Sequence, residues 1–350
     1  MPGARTLPGV TPIPRSPSVD ADHRHMARAV ELAAGVRTST SPNPWVGCVI
    51  VAADGRTVEG ATHPPGGPHA EADALAAAAT AGIDLAGATA YVTLEPCSHH
   101  GRTPPCADAL VASGVARVVV AVTDPDPQVS GTGVERLRAA GVEVVTGVLA
   151  AVVTEQLAPY LTHRRTGRPH VVLKLAASLD GRTAAPDGSS RWITGEAARA
   201  DAHRLRAESD AVLVGAGTVR VDDPTLTVRH LTGPDPQRVV LGRAPEGARV
   251  HPCLELEGDL GEVLDDLGAR DLLQVLVEGG ATVAGAFHRA GLVDAYVLYL
   301  APALFGGDDA PGLFSGAGAA TMSDVWRGRI TRVAHLGDDI RVDLQPARST

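Results

Sequence analysis

Three side chains of this sequence have the types and spacing to hold a metal. Cys97 and Cys106 lie in the stretch TLEPCSHHGRTPPC, residues 93–106, with eight residues between them. His69 precedes them in Pro68-His69-Ala70-Glu71. One imidazole and two thiolates suit a zinc ion whose fourth position stays open to water, the arrangement of a catalytic site rather than a structural one. Glu71, two residues after the histidine, is placed to move protons. Taken singly, each part has a plainer reading: His-Ala-Glu is an ordinary surface sequence at a helix start. Reduced thiols in a cytoplasmic chain favour metal binding over a disulfide. Cys48 sits among Val46, Val49 and Ile50 and reads as core packing.

The segments around these residues predict how they are positioned. Residues 20–35 carry Met26, Ala29, Val30 and Ala33 at helical spacing and stop at Gly35. Residues 45–52 read as a buried strand, with Asn43 between two prolines at its start; alone, Asn43 reads as a turn residue. A helix is expected over 69–81, opening at His69, where unpaired N–H groups disfavour an imidazolium and leave a neutral ligand. A strand over 88–94 leads to Cys97. Pro104 and Pro105 lead into a helix over 107–113, which puts Cys106 at a helix N-terminus where a thiolate is stabilised. A strand over 115–123, a helix over 133–140 and a strand over 143–146 follow. The alternation predicts a three-layer α/β domain.

Taken together, His69-Ala70-Glu71, the 93–106 stretch and Asn43-Pro44-Trp45-Val46-Gly47 resemble the deaminase half of the bifunctional riboflavin biosynthesis (RibD) family. The wider group of zinc deaminases carries H-x-E followed by P-C, with Glu as acid/base and not as ligand. There the cysteines are two apart, and the eight-residue spacing here is what marks the narrower family. The resemblance implies a cytidine-deaminase-like three-layer α/β/α domain. It implies one Zn2+ per chain on His69, Cys97 and Cys106, Glu71 as proton carrier, and Asn43 hydrogen-bonded to a pyrimidine. His99 and His100 would belong to a substrate-holding loop, and His63 is left without a role. Asp126 and Thr132 stand where the family has Asn and Lys.

The totals set limits on function. The chain has 350 residues, which favours two domains. Its net charge of −9 gives no basic footprint for nucleic acid. No apolar run is long enough for a membrane span. The Pro-rich start lacks an apolar core of the secretory kind. The expected layout is a disordered tail over 1–19, a zinc deaminase domain over 20–146, a linker over 147–168 that begins as a helix, meets Pro159 and ends in a polar run, and a reductase domain over 169–347.

The second half has no general cofactor motif. Gly215-Ala216-Gly217 lacks the third glycine of a dinucleotide fingerprint. Gly279-Gly280 lies between an apolar strand, 272–277, and a helix beginning near 282. It is either a phosphate-approach turn or a plain one. The resemblance nevertheless extends here, through residues 174–182, 192–195, 215–219, 222–229 and 277–280. It implies a dihydrofolate-reductase-like α/β domain that binds NADPH. Ala176, Trp192, Thr218, Asp222 and the run Gly280, Ala281, Thr282, Val283, Ala284, Gly285 and Ala286 would line the cofactor. Ser190, Arg206, Leu226, Arg229 and Glu278 would contact substrate; guanidinium forks at Arg206 and Arg229 suit a ribose phosphate. Lys174 and Asp180 would lie near the hydride path, and Arg243 could meet a 2′-phosphate. The apolar strand over 292–300 suggests an interface and hence a homodimer.

These readings converge on a cytoplasmic bifunctional enzyme acting on a small pyrimidine ribose phosphate. The resemblance implies hydrolytic deamination of 2,5-diamino-6-ribosylamino-4(3H)-pyrimidinone 5′-phosphate. NADPH-dependent reduction of the ribosyl group to ribityl would follow. The alternative is a deaminase whose reductase-like half serves only to dimerise.

Overall fold

The computed structural model describes residues 17–98, 105–126, 130–229, 231 and 233–347. The first half runs α1 (Pro17–Val36), β1 (Gly47–Val51), β2 (Thr57–Ala61), α2 (Ala70–Ala81), β3 (Thr89–Leu94), α3 (Cys106–Ala112), β4 (Arg117–Val122), α4 (Thr132–Ala139), β5 (Glu143–Thr146), α5 (Ala150–Gln156) and α6 (Ala158–Thr166). Its strands form one sheet in the order β2-β1-β3-β4-β5. β1 is antiparallel to β2 and β3, and β3, β4 and β5 are parallel.

Apolar strands buried on both faces require a cover on each side, and the helices provide it. Met26, Ile50, Tyr91, Leu110 and Leu137 share one core. The expected tail lies mostly outside the described residues, but α1 begins at Pro17, inside the stretch read as tail.

The 147–168 segment, expected to be a linker, forms two helices. Val153, Leu157, Tyr160 and Leu161 are buried in the first core. Its polar run misleads because those groups are used. His163 is buried and donates from Nε2 to the Gly268 carbonyl at 3.0 Å, and Arg168 pairs with Asp265.

The second half runs β6 (His170–Ser178), α7 (Glu196–Ala207), β7 (Ala211–Gly215), α8 (Ala216–Asp222), β8 (Gln237–Leu241), β9 (Leu254–Leu256), α9 (Leu260–Gly268), β10 (Gln274–Val277), α10 (Ala281–Arg289), β11 (Ala295–Ala301), β12 (Gly328–Leu336) and β13 (Asp339–Pro346). The sheet order is β12-β13-β11-β6-β10-β7-β8-β9. From β11 to β9 every neighbouring pair is parallel, and β13 and β12 add an antiparallel edge. Alternate residues serve opposite faces. Val171, Leu173 and Leu213 join Phe287 in one core, while Val172, Val212 and Val214 join Tyr299 in another. The two expected α/β units, cytidine-deaminase-like and dihydrofolate-reductase-like, are thus two separate sheets, each covered by helices.

The apolar strand near 292–300 is not an outer surface. β11 lies between β13 and β6 and is apolar because both its faces are covered. The exposed edge is β12, whose sequence GRITRVAHL reads as polar.

Close backbone packing sets the position of α2. A Cβ on Gly60 would lie 2.2 Å from the Ala70 carbonyl oxygen and 2.4 Å from the Ala74 nitrogen. Gly60→Ala is therefore expected to push α2 off β2 and to cost about 2 kcal/mol through overpacking. The helix that begins next to His69 would move with it, so bound zinc per chain should fall. Metal analysis alongside thermal unfolding checks this, and unchanged values for both would refute it.

Candidate active sites

β3 ends at Leu94, α2 starts at Ala70 and α3 starts at Cys106, all at one edge of the first sheet. That edge brings His69, Cys97 and Cys106 together, with one donor atom from each within 4.8 Å of the others. His69 Nδ1 lies 3.7 Å from Cys97 Sγ and 3.5 Å from Cys106 Sγ. The edge of a tetrahedron with Zn–N of about 2.0 Å and Zn–S of about 2.3 Å is about 3.5 Å. The donor set and its spacing therefore fit zinc.

The electrostatics suit a cation at this point. Cys97 is held well below the usual thiol range, at about 4, because the Cys106 thiol, His69 and the Cys106 N–H all donate to it. Cys106 is pushed up, since the proton stays on its side of the pair. His69 stands at the N-cap position of α2 without a side-chain capping bond, where a neutral ring was expected. Hydrogen bonding to Cys97 pulls it the other way and outweighs burial. A metal between the three would take the place of that proton. Glu71, 3% exposed, is raised to about 7, first by burial and then by the charge of Cys97.

These groups open on a cavity of about 210 Å3 that Asn43, Thr62, His69, Glu71, Glu95 and Cys97 help to line. Asp124, Asp126, Tyr160 and Arg164 line it as well. Five of these, Thr62, Glu95, Asp124, Tyr160 and Arg164, were given no role in the sequence. Glu95 is buried and accepts backbone N–H groups of Asp124, Gly131, Gly133 and Val134 at 2.9 to 3.2 Å. It ties Asp124, which lines the cavity, to the start of α4. Tyr160 donates to Asp124 Oδ2 at 2.9 Å, and the Arg164 guanidinium stacks 5.2 Å from the Tyr160 ring. The one sequence signal for Glu95 was its place in TLEPC. None pointed to α6.

His63 does not line this cavity; its Nε2 lies 3.1 Å from Asp73 Oδ1. Thr132 meets Ser98 at 2.5 Å between hydroxyl oxygens. His99 and His100 lie outside the described residues.

A second cavity, of about 530 Å3, opens at the C-terminal ends of β6, β7 and β10. Ala176, Trp192, Thr218, Asp222 and Gly280, expected to meet cofactor, and Ser190, Arg206, Leu226, Arg229 and Glu278, expected to meet substrate, all line it. Gly280 N–H donates to Thr218 Oγ1 at 3.3 Å. The rest of the expected run does not reach the lining. Ala281, Thr282, Val283, Ala284, Gly285 and Ala286 belong to α10, whose Ala284 is fully buried in a core.

Arg206 and Glu278 are each other's partner. Arg206 Nε and its NH2 nitrogen donate to the two Glu278 oxygens at 2.6 and 2.9 Å. Lys174 Nζ lies 3.7 Å away. Burial alone would raise Glu278, yet Arg206 and Lys174 bring it down to about 2. The fork expected to grip phosphate is thus already occupied. Arg229, Arg191, Arg199 and Arg249 also line the cavity. Asp180 is elsewhere, accepting from Ser178 Oγ and from the Gly306 N–H. Arg243 is 78% exposed and pairs with Glu255 and Glu257.

Comparison with known proteins gives two family matches. The cytidine and deoxycytidylate deaminase zinc-binding region matches residues 19–122, and the RibD C-terminal domain matches residues 169–342. The riboflavin biosynthesis protein RibD of Escherichia coli strain K12 is 41% identical over 367 aligned residues, covering 92% of this chain and 99% of that protein. RibD of Mycobacterium tuberculosis strain H37Rv is 44% identical over 337, covering 91% and 96%. The solved structure of Acinetobacter baumannii RibD superposes with a TM-score of 0.87 at 41% identity, covering 94% of this chain and all of that one. A diaminohydroxyphosphoribosylaminopyrimidine deaminase/5-amino-6-(5-phosphoribosylamino)uracil reductase from Thermotoga maritima does so with a TM-score of 0.86 at 36% identity, covering 94% and 100%.

Proposed function

The chain belongs to the RibD family and is a bifunctional deaminase and reductase of riboflavin biosynthesis; we propose that its two cavities divide these reactions between them, with the residues assigned as follows. His69, Cys97 and Cys106 would hold one zinc ion, which when bound would supply the Lewis acidity that lets water act as a nucleophile at neutral pH. Glu71 takes the proton of that water and returns it to the departing amine. Its burial beside the ligands keeps competing solvent away. Asn43, at the cavity wall, offers both a donor and an acceptor to the pyrimidine edge. Among the described residues Arg164 is the cation lining this cavity, and it suits a 5′-phosphate.

In the second cavity Ala176, Trp192, Thr218, Asp222 and Gly280 would hold NADPH, which supplies a hydride. Ser190, Leu226 and Arg229 would position the ribosyl group for its conversion to ribityl. Arg206 acts by fixing Glu278 in place, which amends its assignment as a phosphate fork. The substrate is 2,5-diamino-6-ribosylamino-4(3H)-pyrimidinone 5′-phosphate. With both domains of the family present, the alternative of a deaminase with a purely dimerising second half has no basis. No described helix is long and apolar enough to cross a membrane. Four free cysteines suit the reducing cytoplasm.

The observation that carries this reading is the convergence of three donor atoms beside a buried carboxylate. Its test follows ammonia release and NADPH oxidation separately on the diaminopyrimidine phosphate. Stripping the metal should abolish ammonia release and leave NADPH oxidation on the deaminated compound intact. Ammonia release by metal-free protein would overturn the assignment.

The reading includes a homodimer through the second half. β12 is an edge strand with Ile330 58% and Val333 59% exposed, and Met322 nearby is 74% exposed. Apolar side chains on an unpaired edge mark an interface. Val333→Asp is expected to lower the mass in light scattering to that of one chain. A wild-type protein that is itself a monomer would rule this out.

A further inference from the structure

A second set of metal-type donors lies far from the deaminase cavity. His251 and Cys253 lie just before β9, the edge strand opposite β12, and Glu255 lies within it. One donor atom from each lies within 4.8 Å of the others. His251 Nδ1 is 3.5 Å from Cys253 Sγ, the same separation as between His69 Nδ1 and Cys106 Sγ.

The surroundings prepare this histidine to be a ligand. Its Nε2 lies 3.2 Å from the Pro245 carbonyl oxygen. A carbonyl only accepts, so Nε2 carries the proton and Nδ1 presents its lone pair toward the sulfur. A ring fixed through its other nitrogen in this way is the usual support of a metal-bound histidine. Glu255 is oriented too: one carboxylate oxygen accepts the Ala244 N–H at 2.9 Å. The other lies 3.5 Å from Arg243, a mostly exposed side chain with room to swing away. His251 is exposed, which leaves the remaining positions to water.

We propose that His251 Nδ1, Cys253 Sγ and the Glu255 carboxylate form a second metal site for a borderline divalent ion of the zinc class. One nitrogen, one sulfur and one oxygen donor select such an ion over calcium or magnesium, which take oxygen. The bound ion would pin the turn at 245–251 to β9. Arg243 is its competitor for the carboxylate, so the site is weaker than the deaminase centre and fills after it.

The test starts from full-length protein already loaded with zinc at the deaminase centre, titrated with cobalt(II). The expected result is a second equivalent of metal with thiolate-to-cobalt absorption in the near ultraviolet. Cys253→Ser should abolish that absorption while ammonia release is unchanged. Removing a donor costs no less than removing an outer partner, so His251→Gln should weaken cobalt binding by about tenfold or more. Arg243→Ala should strengthen it. The proposal fails if excess cobalt(II) gives no such absorption. It fails equally if the absorption survives in Cys253→Ser, because the metal would then be on Cys97 and Cys106.

Discussion

Glu71→Gln is expected to slow ammonia release by about 10²- to 10⁴-fold, the range for losing a positioned acid/base. NADPH oxidation on the deaminated compound should be unchanged. Glutamine has the shape of glutamate but cannot take up a proton at this pH. Glu71 is buried and lines the first cavity with His69 and Cys97. It is not one of the three converging donors, so zinc content should stay at the wild-type level. The separation of effects follows from architecture: the two cavities have no lining residue in common and stand on different sheets. Ammonia release that falls less than a few-fold would remove Glu71 from the mechanism. A parallel loss of zinc would reassign it to holding the site together.

The ligand set was legible in the sequence because its parts are local. His69 opens a helix, Cys97 ends a strand-to-loop passage and Cys106 opens another helix, and each position follows from neighbouring prolines and apolar spacing. What stayed hidden depends on distant partners. α6 reads as a polar linker because its buried face is only Pro159, Tyr160, Leu161 and His163. Its role at the first cavity appears only once Tyr160 meets Asp124, 36 residues away. Glu95 carried no signal beyond its place in TLEPC, because its donors are 29 to 39 residues further on. The strand over 292–300, expected at a surface, lies inside the sheet for a related reason. Apolar composition reports burial, and it does not say whether the cover is this chain or another. The strand hairpin of β12 and β13, mostly polar in sequence, is held by pairing to β11.

Arg206→Met should destabilise the second sheet by about 3 kcal/mol at neutral pH, the low end for removing one partner of a buried ion pair, because Lys174 remains 3.7 Å from Glu278. Glu278 and Arg206 side chains are 7% and 14% exposed, and 72 residues separate them. Arg206 also donates to the Thr227 carbonyl at 3.2 Å, so the change loosens the 225–229 loop that carries Leu226 and Arg229. The pH dependence has a definite sign. Glu278 is held at about 2 against an ordinary 4.5. A depressed carboxylate contributes stability above its unfolded value, and that contribution is lost as pH falls through the folded one. In Arg206→Met, burial raises Glu278 and it takes up a proton more readily. The penalty is therefore largest at neutral pH and shrinks as the pH is lowered toward 4. Adding Glu278→Gln to the variant removes the stranded charge and should recover much of the loss, without restoring NADPH oxidation. Hydrogen exchange of β7 and β10 amides in mild urea reads this locally, in a chain too large to unfold in one step. Equal destabilisation at pH 4 and pH 7 would mean that the pair acts by packing and not by charge.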